Sequence, residues 1–245
     1  MRYFFHIFFL LYLVLPLSAG GNKTILSFAK AKRSAWQLIE KHPYTFYCNC
    51  RIEEREIQRG SCGYVPRRDN SRANRIEWEH VVPAENFGRS FIEWREGDER
   101  CVRRDGRTFK GRQCARKVNT TFRRMEADLY NLYASIGELN GDRSNYRYGI
   151  VSKKVQAYGA CEFYIDEKIV EPRASIRGDI ARVYFYMNDA YPNRGILGDK
   201  MRRLMEAWDR EDPIDEAECR RATLIEKLQG NENRFVSSVC RGKGW

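Results

Sequence analysis

Histidine is scarce in this chain, which has only three in 245 residues. His6 lies in an apolar leader, so His42 and His80 are the imidazoles left for acid–base chemistry near neutral pH. The apolar run Tyr3 to Leu17 falls short of the roughly 18 to 20 residues that a membrane-spanning helix needs, and Pro16 sits at its end. That argues against a retained anchor. No cysteine pair has the Cys-x2-Cys spacing of a structural zinc site, because Cys48 and Cys50 are too close together. No Ser/Gly-rich linker, internal repeat or low-complexity segment marks a boundary, which favours one compact domain. Acidic residues are in deficit, 33 against 44 Lys and Arg, for a net charge of +11.

What is present points to export. Arg2, the apolar run and the small residues Ser18, Ala19, Gly20 and Gly21 form a signal-peptide pattern. Cleavage after Ala19 or Gly20 makes residues 1–20 a leader and 21–245 the mature body. The eight cysteines, Cys48, Cys50, Cys62, Cys101, Cys114, Cys161, Cys219 and Cys240, then read as up to four disulfides whose pairing the sequence leaves open. Asn22-Lys-Thr and Asn119-Thr-Thr fit the glycosylation pattern, which matters only in a host that glycosylates. Positive charge recurs at Arg67, Arg68, Arg72, Arg75, Arg103, Arg104, Arg107, Lys110, Arg112, Arg116, Lys117, Arg123 and Arg124. A polyanionic partner is the natural inference, although a basic surface also aids solubility.

The stretch Arg75-Ile-Glu-Trp-Glu-His-Val-Val-Pro-Ala84 lies between those basic flanks and sets one imidazole beside two carboxylates. If it is extended, Trp78 and His80 project to one face and Glu77, Glu79 and Val81 to the other, so one face can hold a base and the other a metal. The ordinary alternative is a satisfied histidine at a strand end. Around it, apolar spacing predicts a helix over Leu26–Lys41 stopped by Pro43, a strand over Thr45–Ile52, and a turn at Asp69-Asn-Ser71. Asn86–Thr121 reads as an irregular basic excursion held by Cys101 and Cys114. Phe122–Leu132 carries one helical face, with Asn131 near its end as either a metal ligand through its amide oxygen or a plain helix terminus. Gly137–Asn145 reads as a polar, turn-rich segment. The last third carries three helical core stripes, with Asp215 a candidate N-cap and Gly230 a stop.

From Ser27 to Cys240 the chain resembles the bacterial endonuclease I family. The resemblance rests on Thr45-Phe-Tyr-Cys-Asn-Cys, Ser61-Cys-Gly-Tyr, Arg75-Ile-Glu-Trp-Glu-His-Val-Val-Pro-Ala, Arg124-Met-Glu-Ala-Asp-Leu-Tyr-Asn-Leu, Gly137-Glu-Leu-Asn-Gly-Asp-Arg-Ser-Asn and Ile180-Ala-Arg-Val-Tyr-Phe-Tyr-Met, in that order. It implies a mixed α+β single domain with a ββα-metal (His-Me finger) motif, several helices and disulfides. It also implies an exported, magnesium-dependent non-specific nuclease that hydrolyses single- and double-stranded DNA, and RNA, to 5′-phosphate ends. In that reading His80 is the general base, and Glu79 and Asn131 hold one Mg2+. An arginine before a cysteine steadies the cleaved phosphate; Arg112 is taken for it and Arg107 is the alternative. The mature form is expected to be a membrane-free monomer, in the periplasm or secreted. Two rivals share the charge: a secreted protein that coats DNA without cutting it, and a lysozyme-like glycosidase indifferent to chelation.

Overall fold

A computed structural model describes residues 20–68 and 71–245. All of the expected leader but Gly20, and the Asp69-Asn70 part of the expected turn, lie outside the described residues. Helix α1 (Phe28–Lys41) begins where the Ser27 side chain accepts from the Lys30 amide and buries Ala31, Ala35, Leu38 and Ile39 on one face. The expected strand at Thr45–Ile52 shrinks to β1 (Arg51–Glu53), paired in a hairpin with β2 (Glu56–Gln58). The reason is covalent and local. Asn49 takes a left-handed φ of 56°, so Cys48 reaches Cys161 while Cys50 reaches Cys62, and no extended run could serve both.

Strand β3 (Ile76–His80) leads through Val81-Val82-Pro83 into α2 (Ala84–Gly88) and α3 (Ile92–Arg95). The basic excursion is less irregular than its composition suggests. It closes on α4 (Arg112–Val118), tied back by Cys101–Cys114, and α5 (Thr120–Glu126) follows, capped by Asn119. Phe122–Leu132 is not one helix. It breaks at Asp128, whose buried carboxylate accepts hydroxyls from Tyr186 and Tyr191, an amide from Gln229 and the Tyr130 N–H. One 3-10 turn over Leu129–Asn131 then enters β4 (Leu132–Ile136).

Strands β3 and β4 pair antiparallel with Trp78 opposite Ala134 and His80 opposite Leu132. Directly after β4 the polar Gly137–Asn145 segment forms a helix, α6 (Gly137–Arg143), and not a loop. It lies so close to the strand entry that a Cβ on Gly137 would sit 2.7 Å from the Arg72 carbonyl oxygen. The three form a strand–strand–helix unit. A second sheet orders β5 (Arg147–Tyr148), β7 (Ile169–Pro172) and β6 (Phe163–Asp166), with β7 central.

The C-terminal third is helical as expected: α7 (Arg177–Ala190), α8 (Asp199–Glu211), α9 (Glu216–Gln229) and α10 (Arg234–Lys243). Asp215 caps α9 by accepting from the Glu218 amide, and Gly230 ends it at φ 79°. Ile176, Ile180, Val183, Tyr184, Met187, Met205, Trp208, Ala222 and Ile225 are buried in a core that also takes α1 and the backs of the strands. Cys219–Cys240 ties α9 to α10, and among the described residues no cysteine is free. Asn22 is buried, its amide donating to the Ile25 and Arg124 carbonyls, so this fold leaves it no room for a glycan. Among the described residues no helix is long and apolar enough to cross a membrane.

Candidate active site

The end of β3, the start of α2 and the inner face of α6 border an open cavity of about 540 Å³, lined by Phe28, Glu77, Glu79, His80, Arg112 and Asn140 among others. Strand alternation does not separate His80 from Glu79 as expected. Both residues line the one cavity at the end of β3.

His80 is buried, and its Nε2 lies 2.9 Å from the backbone oxygen of Glu126. A carbonyl can only accept, so Nε2 carries the proton and Nδ1 keeps a lone pair. Burial, helped by the Arg112 guanidinium, lowers the imidazole's pKa to about 4. It is therefore a neutral base over the whole physiological range. Phe28 packs against the ring with centroids 5.1 Å apart.

Glu126 serves the site twice. Its backbone oxygen fixes His80, and its fully buried carboxylate receives Arg112 Nε at 2.5 Å and Arg116 Nε at 2.7 Å. Burial alone would raise that carboxyl, but the two guanidinium groups hold it below the ordinary value. Arg112 is thus oriented from behind while remaining 39 % exposed at the cavity, with its guanidinium over Phe28. Arg107 is elsewhere. It is largely exposed, pairs with Asp105 and does not line this cavity.

Glu79 is buried with Oε1 accepting the Tyr47 hydroxyl at 2.7 Å and lying 3.1 Å from Arg143 Nη1. The same guanidinium donates to the His80 and Val81 carbonyls at 3.0 and 2.7 Å, so its charge is shared and the strand end is clamped. Burial outweighs that attraction and pushes the Glu79 carboxyl up. Such a carboxylate gains from a further cation.

Asn131 is not brought to the cavity. It is buried on the far side of the strand turn, where Oδ1 accepts the Val82 N–H at 2.7 Å and Nδ2 donates to the Val82 carbonyl at 2.9 Å. Both ends of its amide are turned to the Val82 backbone, away from the cavity. The cavity contains a different amide, Asn140 on α6, whose Nδ2 donates to Glu77 Oε2 at 2.7 Å. Arg72 donates to both carboxylate oxygens of Glu77, and Arg75 to its Oε1.

Asn140, Arg143, Glu126 and Tyr47 were not picked out from the sequence. A signal existed for two of them: had Gly137–Asn145 been given helical period, Asn140 and Arg143 would share one face. Glu138 and Asp142 would share another, and they do, accepting the Tyr64 hydroxyl and the Arg67 side chain respectively. His42 lies in a separate cavity of about 240 Å³, alongside Tyr133 and Arg173.

One carboxylate and one amide oxygen in a water-accessible cavity suit a hard cation such as magnesium, which binds few protein ligands and keeps its waters. No group of three or more His, Cys, Asp or Glu side chains able to hold a metal occurs among the described residues, so a ligand-rich zinc-type centre does not fit.

The family model for Endonuclease I matches residues 22–240. A periplasmic deoxyribonuclease of Aeromonas hydrophila is 40% identical over 233 residues, covering 92% of this chain and 90% of that protein. Endonuclease-1 of Buchnera aphidicola subsp. Acyrthosiphon pisum is 40% identical over 229 residues, covering 91% and 85%. An extracellular ribonuclease of Bacillus subtilis is 34% identical over 126 residues, covering 44% and 43%.

Proposed function

This chain belongs to the endonuclease I family, and from that premise we propose that it is an exported endonuclease that needs one Mg2+ and cuts DNA, and RNA as well, with little regard for sequence. Hydrolysis of phosphodiester bonds in nucleic acid and action outside the cytoplasm follow from the family and from relatives named periplasmic or extracellular nucleases. The RNA half is supported by the similarity to a relative named as a ribonuclease. Contacts mainly to phosphates suit the basic surface and imply marked salt sensitivity.

The observation that carries the mechanism is the neutral imidazole of His80, pinned through Nε2 so that Nδ1 is the basic atom. Nδ1 takes a proton from a water as its oxygen attacks phosphorus, the bond to the 3′ oxygen breaks in line, and the departing oxygen takes a proton from solvent water, leaving a 5′-phosphate and a 3′-hydroxyl. Glu79 and Asn140 would hold the metal, Asn140 replacing Asn131 in that role. Bound there, magnesium would supply positive charge to the phosphate and to the departing oxygen. Arg112, aimed by Glu126, adds a guanidinium for the same phosphate. Arg143 and Tyr47 keep Glu79 in place.

Supercoiled plasmid tests this reading. The oxidised mature protein should nick and linearise it with magnesium, stop in EDTA, and lose roughly a hundredfold or more in rate as His80→Ala at unchanged thermal stability. DNA binding without cutting, in folded protein with metal supplied, would replace the nuclease with a DNA-coating protein. Cutting by His80→Ala at the wild-type rate would remove the assigned base.

A further inference from the structure

Beside the His80 cavity lies a second chamber of about 390 Å³. Pro83, Glu85 and Asn145 line both, so the two spaces are one groove with a waist. At that waist sits Glu85, on the first turn of α2. Its Oε1 accepts Arg89 Nε at 2.9 Å and Oε2 accepts Asn145 Nδ2 at 2.5 Å, which straps α2 to the end of α6. Beyond the strap the chamber has an apolar floor of Tyr184 and Ile196, with Tyr146 and the cations Arg89 and Arg147 around it. Among the described residues Arg147 pairs with no carboxylate. An aromatic ring and two guanidinium groups suit a nucleotide, whose base stacks and whose phosphate needs positive partners. A carboxylate at the entrance opposes it. Glu85 repels an entering phosphate and neutralises the cation that would receive it.

We propose that this chamber is a subsite for a nucleotide flanking the cleaved bond, with Tyr146 taking the base and Arg89 and Arg147 the phosphate. Glu85 is the latch that a polynucleotide must displace to occupy it. The proposal rests on the nuclease reading only for what fills the neighbouring cavity. The groove therefore discriminates by length: a ligand short enough to stay at the Glu79–His80 end of the first cavity does not pass the latch, and a longer strand must open it.

The test is binding in EDTA, where nothing is cut. Unlabelled thymidine oligonucleotides of two to twelve residues displace a fluorescein-labelled dodecamer from wild type, from Glu85→Gln and from Arg147→Ala. Glu85→Gln should tighten the long oligonucleotides by about tenfold at low salt, the scale of one unscreened charge at that range, and leave the dinucleotide within about twofold. The gain should shrink in 0.5 M salt. Arg147→Ala should weaken the same long ligands and spare the dinucleotide. A change equal at all lengths, or no change in either variant, overturns the subsite. The nuclease reading fails separately, by wild-type protein that leaves plasmid intact with magnesium; the length dependence in EDTA is read whichever way that falls.

Discussion

The cavity at His80 is assembled from two regions built on different terms. One is the β3–β4–α6 unit with the turn that enters it, where key polar groups are buried and held by several partners: Glu79 by Tyr47 and Arg143, the strand end by Arg143, and Asn131, just before β4, by the N–H and carbonyl of Val82. The other is the basic excursion from Asn86 to Thr121, exposed along much of its length, tied by Cys101–Cys114 and reaching the cavity through Arg112. The first supplies groups whose chemistry depends on fixed geometry. The second supplies charge, which acts over distance and tolerates a looser mount. Glu126 is where they meet, since its carbonyl serves the imidazole and its carboxylate the guanidinium.

The sharpest break of this contrast lies inside the rigid unit. Asn140→Ala should cut magnesium-dependent cleavage on the order of a hundredfold with little loss of stability, the effect expected when a group that positions a metal is removed. Asn131→Ala should do the reverse in kind. It strands the Val82 N–H and carbonyl in the core, at a cost of about 2 to 4 kcal/mol, and lowers Tm by roughly 5 to 15 °C. If Asn131→Ala were as stable as wild type and inactive with magnesium, the exchange of roles between the two residues would be wrong.

Within the excursion, Arg112→Ala should lower cleavage on the order of tenfold, and Arg107→Ala should stay within about twofold, since the Arg107 guanidinium pairs with Asp105 and lies outside the cavity lining. Equal losses would mean that the excursion contributes diffuse charge and no aimed group. Replacing Cys101 and Cys114 together by Ser should cost a few-fold in rate, because α4 then carries Arg112 on a slacker anchor. The same exchange at Cys219 and Cys240 should cost about 3 kcal/mol of stability and little rate at a temperature where both variants are folded.

The smallest expected effect joins the two regions. His80 has a folded pKa of about 4, below its unfolded value near 6.5. The unfolded chain therefore binds the proton more readily between those values, and stability falls as pH drops from 6.5 toward 4. For the rate, single-turnover cleavage at pH 6 should be within twofold of that at pH 7.5, where an ordinary imidazole would have lost about fourfold. Arg112→Ala should move the acidic limb of that profile upward, because the guanidinium is one of the causes that hold the pKa down.

The sequence disclosed these regions unevenly. The Arg75–Ala84 block stands out by residue type, although only the family resemblance separates a catalytic histidine there from an ordinary one, and α1 and the C-terminal helices stand out by apolar period, since a core-facing helix must place Leu, Ile and Ala on one side. Four disulfides could be counted but not paired, because pairing depends on the fold. The break of Phe122–Leu132 at Asp128 was not legible: the aspartate's partners, Tyr186, Tyr191 and Gln229, come from α7, its end and α9, far along the chain. Asn131 and Asn140 were confused for the same reason. Each is an amide in a block that carries the family resemblance, and only tertiary structure says which amide faces the Val82 backbone and which the cavity.

An exported protein meets proteases, and the excursion offers them Arg103, Arg104, Arg107 and Lys110 on an exposed loop. Both half-cystines that close this loop, Cys101 and Cys114, are fully buried. A trypsin-like cut at any of those four sites therefore opens the loop without releasing either piece. The strand carrying Glu79 and His80 stays covalently attached to the helix carrying Arg112, and a nicked molecule retains its whole cavity. The bond that mounts the basic excursion also makes its most vulnerable loop expendable.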